Sequence, residues 1–189
     1  MKSISIGMKR KIGKKLDKKR NSKETKYRNK KLYKITRFLL KFNLFSIPLY
    51  LIILTGATWP FLMHLTEGIS FSLLRFVGVD ATMSNGFVVV PVVNGNFAAT
   101  VSWDSTGWKS ILAFFALVFA TEFSLRKKLI GLSFIPVIYF VNILRIVFMF
   151  FFVSRYDVAY YNLLHATLWS WGLIATILLL WVVWMKYVK

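Results

Sequence analysis

Four long apolar runs divide the chain after a strongly polar start. They cover about residues 44–65 (LFSIPLYLIILTGATWPFLMHL), 106–125 (TGWKSILAFFALVFATEFSL), 129–153 (LIGLSFIPVIYFVNILRIVFMFFFV) and 163–185 (LLHATLWSWGLIATILLLWVVWM). Each approaches or exceeds the roughly 20 residues that a helix needs to cross a bilayer. Pro48, Pro60 and Pro136 fall inside these runs, where packed neighbours re-satisfy the backbone groups that a proline frees. Between the first two runs, EGISFSLLRFVGV predicts an amphipathic helix, and FVVVPVVNGNFAATVSW predicts two strands around Asn94-Gly95, a favoured hairpin turn. Pro91 restricts its strand to an edge. The fold class is therefore an all-α integral membrane helix bundle with about four transmembrane helices. An outer-face amphipathic helix and a small β-hairpin cap lie between spans one and two.

Composition explains how so apolar a chain carries so much charge. Residues are 57% hydrophobic, yet the formal net charge is +19. Residues 1–41 hold 17 of the 26 Lys and Arg against only Asp17 and Glu24. Residues 1–30 predict a basic, disordered tail, because like charges dominate and little apolar surface is available to bury. Residues 31–43 differ. Leu32, Ile35, Phe38, Leu39 and Phe42 recur at helical spacing among basic residues, the pattern of an interfacial helix on an anionic membrane face. Residues 44–189 then form the transmembrane, catalytic-type domain, with 66–103 as its outer cap. A tail this near a membrane favours anionic lipid. It lacks the aromatic interleaving of a single-strand platform, so no nucleic acid is expected as a partner.

Basic residues orient the spans. The tail, the cluster Arg126–Lys128 and the pair Lys186 and Lys189 all fall on one side of four crossings. That side is cytoplasmic, with both termini there. Residues 66–103 and 154–157 then face outside. No secretory signal peptide is evident, since the first apolar run starts near residue 43 behind a long charged region.

This topology gathers polar residues at one face. Ser105, in WDSTGWKS, precedes span two, where unpaired helix N–H groups favour a developing anion. Arg145 lies about four residues outward of the centre of span three, ~6 Å at helical rise. A charge at that depth faces a protein interior or a wet cavity. Asn142 is one turn deeper, and His165 begins span four. A hydroxyl, a guanidinium and an imidazole suit acyl transfer. Ser105 attacks a carbonyl, His165 moves the proton and Arg145 stabilises the oxyanion. Simpler roles compete. Ser105 is placed to cap a helix, His165 to fill an interfacial gap, and Arg145 to pair with Asp157 or, less readily, Glu122. His64, near the outer end of span one, is an alternative imidazole. Lys109, one turn after Ser105, either snorkels to headgroups or binds an anionic leaving end.

DSTGWKS, NILR and HATLWSWG, in this helix order, resemble the archaeosortase/exosortase family of membrane transpeptidases, the archaeal members more closely. The resemblance spans roughly residues 45–185. The family's nucleophile motif is Cys-Ser/Thr-Gly, followed by Asn-x-x-Arg and then by His or Arg in the last helix. Thr106-Gly107, Asn142 with Arg145, and His165 match. Ser105 stands where the family has its cysteine, and a hydroxyl is far harder to ionise than a thiol. The resemblance thus implies an enzyme that is inactive or trapped. Either a cysteine-to-serine change was introduced, or the chain is a natural variant that uses serine or has lost activity.

The resemblance also implies partners. These are secreted proteins with a C-terminal sorting signal and transmembrane helix, and a lipid amine that accepts the cleaved chain. The competing class is a non-catalytic membrane scaffold or anionic lipid-binding protein, with Arg145 and Lys109 holding a headgroup. Cofactor and metal are expected to be absent. The chain has no cysteine, two histidines and scattered carboxylates without ligand spacing, and no phosphate-binding glycine loop.

Overall fold

Helix breakers set the element boundaries. A computed structural model describes residues 2–84, 86–92, 95–156, 158–167 and 171–188, apart from the side chains of residues 2–22, Tyr160, Leu163 and Ala166. The chain divides into two units, Met1–Lys41 and Phe42–Lys189.

The first unit belongs to α1 (Lys2–Phe45), which is helical throughout its described length. The sequence predicts disorder to residue 30 and a helix only from residue 31. Lys and Arg are good helix formers, and the region has no proline and only two glycines, Gly7 and Gly13. Local propensity therefore carries the helix through the basic region. Leu32, Ile35 and Leu39 remain exposed on it.

In the second unit the first predicted span is broken. Helix α2 (Ile47–Thr55) ends at Gly56, whose φ of 64° is left-handed, and α3 (Pro60–Phe76) starts with proline at its first position. Glycine after a helix and proline at the start of the next are the favoured stop and start signals. The span predicted to run to residue 65 thus stops at 55. The amphipathic helix predicted from Glu67 begins seven residues earlier, at Pro60.

Three strands follow, not two. β1 (Thr82–Ser84), β2 (Phe87–Val92) and β3 (Gly95–Ala99) form an antiparallel sheet in the order β1-β2-β3. The predicted turn residue Asn94 lies outside the described residues. β2 is the central strand, which corrects the edge assignment made from Pro91. β1 pairs only with residues 87–89, so Pro91 lies beyond its end and faces Asn96 of β3 alone. No ladder bond is lost there. Val88 and Val90, two apart on one face, are fully buried.

The remaining runs are also segmented. A 3-10 turn at Trp103–Thr106 leads through Gly107 into α4 (Trp108–Ala120). α5 (Leu125–Leu132) and α6 (Ile135–Arg155) replace the third run. α7 (Tyr161–Thr167) and α8 (Leu173–Tyr187) replace the fourth. Two helical stretches are long and apolar enough to cross a membrane, Lys23–Thr55 and Leu125–Arg155. α4 and α8 are shorter apolar helices.

Helix α6 is the shared wall of two cores. Its C-terminal half packs Ile143, Ile146, Val147 and Phe150 against Leu74 of α3 and Val88 and Val90 of the sheet. Its N-terminal half places Ile138 with Phe114 and Val118 of α4 and Ile177 and Trp184 of α8. At that second end α5 latches its neighbours. Lys128 Nζ donates to the Phe119 carbonyl at 2.9 Å, Lys127 to the Val188 carbonyl, and Trp184 Nε1 to the Lys127 carbonyl at 2.9 Å. Lysine ammonium groups thus satisfy carbonyls at the ends of α4 and α8, where the helix dipole is negative.

Gly131 of α5 lets these helices approach. A Cβ there would stand 2.9 Å from both Trp184 Cε2 and Val118 Cγ1. Gly131→Ala is expected to destabilise the protein by about 1–3 kcal/mol through overpacking. Gly68→Ala, in the interior of α3 with no neighbour within 4 Å of the new Cβ, should stabilise by about 0.5–1 kcal/mol. Thermal unfolding of the two variants in detergent, followed by tryptophan fluorescence, should move in opposite directions.

Candidate active site

Ser105 sits on the 3-10 turn, three residues ahead of α4. The residue capping α4 is Gly107, and no side chain caps that helix. The helix-capping role is therefore excluded for Ser105. Several contacts hold the turn. The buried Thr106 hydroxyl donates to the Trp103 carbonyl at 2.9 Å, and the Ser105 N–H donates to the Ser102 carbonyl at 2.9 Å. The Trp103 and Trp108 rings stack at 5.2 Å between centroids, one on each side of the turn.

The turn is anchored to α6 by Asn142, which is fully buried. Its Nδ2 donates to the Ser105 carbonyl at 2.8 Å. Gly107 makes room for that contact. Its φ is 82°, and a Cβ there would lie 2.9 Å from Asn142 Cγ. Backbone conformation and close approach both demand glycine at this position. Asn142, Thr106 and Gly107 thus support the Ser105 turn without lining a cavity around its hydroxyl.

Arg145 follows Asn142 by one helical turn. It is 8% exposed, and its Nε and Nη1 find no hydrogen-bond partner among the described residues. No carboxylate pairs with it among those residues. Of its two predicted partners, Asp157 lies outside the described residues, and Glu122 follows the far end of α4. Ser105, Arg145 and His165 line one cavity of about 30 Å³, together with Tyr161, Ala99 and Phe150. That is space for roughly one or two waters. The Ser105 and Ser102 hydroxyls are 3.0 Å apart.

Tyr161 is the residue that the sequence reading missed. One α7 turn before His165, it stacks on that imidazole with centroids 5.7 Å apart and planes 17° apart. Phe97 of β3 packs on its other side at 5.0 Å. Burial pushes the Tyr161 phenol above its ordinary pKa, against the opposing pull of the Arg145 charge. The phenol thus stays neutral at working pH. The i,i+4 spacing of Tyr161 and His165 was the available signal.

Two candidates fall elsewhere. Lys109 does not line this cavity; its Nζ is 2.8 Å from Asp104 Oδ1, and it lies over the Trp108 ring at 5.6 Å. His64 is largely exposed on α3, with Nδ1 3.7 Å from Glu67 Oε2. Among the described residues, no group of three or more His, Asp or Glu could hold a metal ion.

A helical membrane-type fold that gathers a hydroxyl, a guanidinium and an imidazole in one small cavity has the makings of an acyl-transfer protein. Residues 27–185 match the family described as transmembrane exosortase, and the chain belongs to that family. Over 154 residues it is 24% identical to a protein of Methanocaldococcus jannaschii named "Probable archaeosortase E", covering 82% of this chain and 80% of that one. No solved structure matches it. Family membership makes it, in general terms, a membrane protein of the exosortase/archaeosortase type, a sorting transpeptidase by resemblance. It implies substrates that carry C-terminal sorting signals.

Asn142→Ala removes the bond to the Ser105 carbonyl and should cost about 1–2 kcal/mol. Gly107→Ala forces a left-handed backbone on a β-carbon, about 1–2 kcal/mol, and adds the clash with Asn142. In the Asn142→Ala background the Cγ and Nδ2 contacts are gone and only that residue's Cβ, at 3.2 Å, remains, so Gly107→Ala should cost less there. A double-mutant cycle on thermal stability reads the coupling.

Proposed function

We propose that this protein is a membrane transpeptidase in which Ser105 is the nucleophile position, His165 the proton carrier and Arg145 the oxyanion stabiliser. The observation that carries the reading is the shared cavity, to which the 103–106 turn, α6 and α7 each contribute one of the three groups. The substrate is a secreted protein whose C-terminal sorting signal ends in a transmembrane helix. Its scissile carbonyl is attacked by the side chain at 105, which forms an ester with serine or a thioester with cysteine. The proton displaced in this attack passes through His165 to the leaving amine as the C–N bond breaks. A lipid amine then attacks the acyl-enzyme, an amide forms, and the proton returns to the side chain at 105. Arg145 faces the negative oxygen in both tetrahedral intermediates. Its buried nitrogens, unpartnered among the described residues, are suited to a charge that appears only during reaction.

Four crossings with both termini in the cytoplasm put this cavity outside. The lysines that latch α4 and α8 then lie inside, in keeping with the distribution of positive charge. The exposed Leu32, Ile35 and Leu39 of α1, set among basic residues, suit an anionic lipid surface. A serine at the nucleophile position leaves the protein slow or silent. That one feature favours the second reading, a non-catalytic scaffold or anionic lipid-binding protein.

The chain has no cysteine, so Ser105→Cys creates a unique thiol. A membrane-impermeant maleimide should label it on intact cells. Co-expressed with candidate sorting-signal proteins of the same genome, this variant should process its substrate. Adding Arg145→Ala or His165→Ala should lower the rate by about 10²–10⁴-fold. Undiminished processing without Arg145 would refute its oxyanion role. No processing by any single-thiol variant would leave the scaffold reading standing.

A further inference from the structure

The sheet has an unused edge that ends at the cavity. β3 pairs with β2 on one side, and among the described residues no strand lies along its other side. In an antiparallel ladder, directly opposed pairs alternate between hydrogen-bonded and open. Proline has no N–H to give, so Pro91–Asn96 is an open pair, and by alternation Val89–Ala98 is open too. Asn96 and Ala98 therefore turn their backbone N–H and C=O groups away from β2. Both residues are exposed, and neither makes another backbone bond among the described residues. Phe97, between them, packs on Phe150 of α6 and Tyr161 of α7. The strand is thus held from its inner face while its outer edge stays open.

Where this edge leads narrows the occupant. Ala99, at the end of β3, and the next two residues, Thr100 and Val101, line the cavity with Ser105, Arg145 and His165. Asn96 is four steps from Thr100, ~13 Å at strand rise. The free N–H and C=O groups recur every second residue, ~7 Å apart. That repeat matches the backbone of another extended polypeptide. A lipid headgroup or a sugar carries no such repeat. The opposite edge of the sheet, on β1, also lacks a partner strand among the described residues, but no β1 residue lines the cavity.

We propose that the substrate segment preceding the scissile bond adds to β3 as a fourth strand, parallel to it, bonded to the main chain of Asn96 and Ala98. The identity of the substrate rests on the transpeptidase reading; the pairing with an extended peptide rests on the sheet. The direction follows from the two ends of the segment. Downstream of the scissile bond the substrate continues into a membrane helix. A groove of about 200 Å³, lined by Val141, Arg145, Phe148 and Leu173, gives that part a way out toward lipid. Only the upstream part is free to lie extended. With its scissile carbonyl at the Thr100 end, it runs the way β3 runs. Recognition is then mainly by backbone, so the edge sets where the chain is cut and leaves most upstream side chains unconstrained.

The test uses the full chain, with Ser105, in lipid nanodiscs. The probe is a pool of short synthetic peptides, each taken from just before the C-terminal apolar run of a protein of the same genome that ends in such a run and basic residues. Captured peptides are identified by mass spectrometry and their affinities measured. Ala98→Pro removes one outward N–H and no bond to β2, as Pro91 does on the neighbouring strand, and should weaken binding about tenfold. Met83 faces Val88, an open pair in the β1–β2 ladder, so Met83→Pro removes an outward N–H from the other edge and should leave binding unchanged. On the unaltered protein, N-methylation of successive peptide residues should weaken binding at every second position upstream of the scissile bond. No captured peptide, equal loss in both proline variants, or N-methyl effects without a period of two overturns the proposal. So does a dimer that Ala98→Pro alone dissociates, since the edge would then pair with a second copy. In Ser105→Cys protein, Ala98→Pro should raise KM several-fold with kcat little changed; an unchanged KM overturns the role in substrate binding. If Ser105→Cys protein cleaves nothing while peptides still pair with period two, the transpeptidase reading fails and the peptide edge stands.

Discussion

The contact between Asn142 Nδ2 and the Ser105 carbonyl, 2.8 Å long, is the joint on which the site depends. It fixes an irregular turn to the one helix that both hydrophobic cores share. The turn's other hydrogen bonds, to Ser102 and Trp103, constrain it internally but not against α6. Gly107 is the counterpart of the joint. It supplies the left-handed step that ends the turn and the missing Cβ that lets Asn142 approach. Three residues further along α6, Arg145 is held by the same helix, so the turn and the guanidinium share one frame. His165 is held differently, by stacking on Tyr161, which in turn packs on Phe97 of the sheet. The sheet thus reaches the site through these aromatic contacts and through Ala99 of β3, which lines the cavity.

The buried guanidinium sets a demand that the rest of the fold meets. An arginine near mid-membrane costs about 2.5–3.5 kcal/mol even by the lenient insertion scale. The described residues leave two of its nitrogens without partners. The packing on either side of α6 must offset that cost. One core runs through the sheet and α3 and the other through α4 and α8, so α6 is clamped above and below. On the proposed reading, a fold that bears this cost keeps a positive charge available where a negative one develops.

Much of the site was legible because polar residues in apolar runs are expensive and therefore informative. Arg145, Asn142 at i−3 and His165 stood out for that reason, and the cavity brings Ser105, Arg145 and His165 together. Lys109 was placed beside Ser105 by sequence distance alone. Because α4 begins at Trp108 after a left-handed residue, Lys109 instead lines a groove between α2, α4 and α8. Tyr161 escaped notice because an aromatic residue near a membrane boundary is ordinary. The fold was legible in its composition but not in its joints. Gly56 followed by Pro60 broke a run that hydropathy read as continuous. β1 has three residues, all exposed, and so offers no alternating pattern to detect. The basic region, whose charge argues for disorder, is assigned to α1 over its described length, in keeping with the helix propensity of Lys and Arg.

Three compartments converge on two residues. The small cavity around Ser105 and the 200 Å³ groove share Arg145, and that groove and a slot of about 400 Å³ between α2, α4 and α8 share Leu173. A two-step acyl transfer needs this kind of adjacency. Donor and acceptor must approach one nucleophile without occupying the same space, and water must be scarce while the acyl-enzyme waits. A cavity of about 30 Å³ admits a carbonyl group but little bulk water. On the proposed transpeptidase reading, the peptide is drawn in from the groove that Arg145 lines, with its leaving helix remaining in the lipid. The guanidinium then serves both as the wall that the substrate passes and as the charge that its carbonyl meets. Among the described residues no carboxylate pairs with it, in keeping with that proposed double duty, since a salt bridge would satisfy the charge before the reaction did.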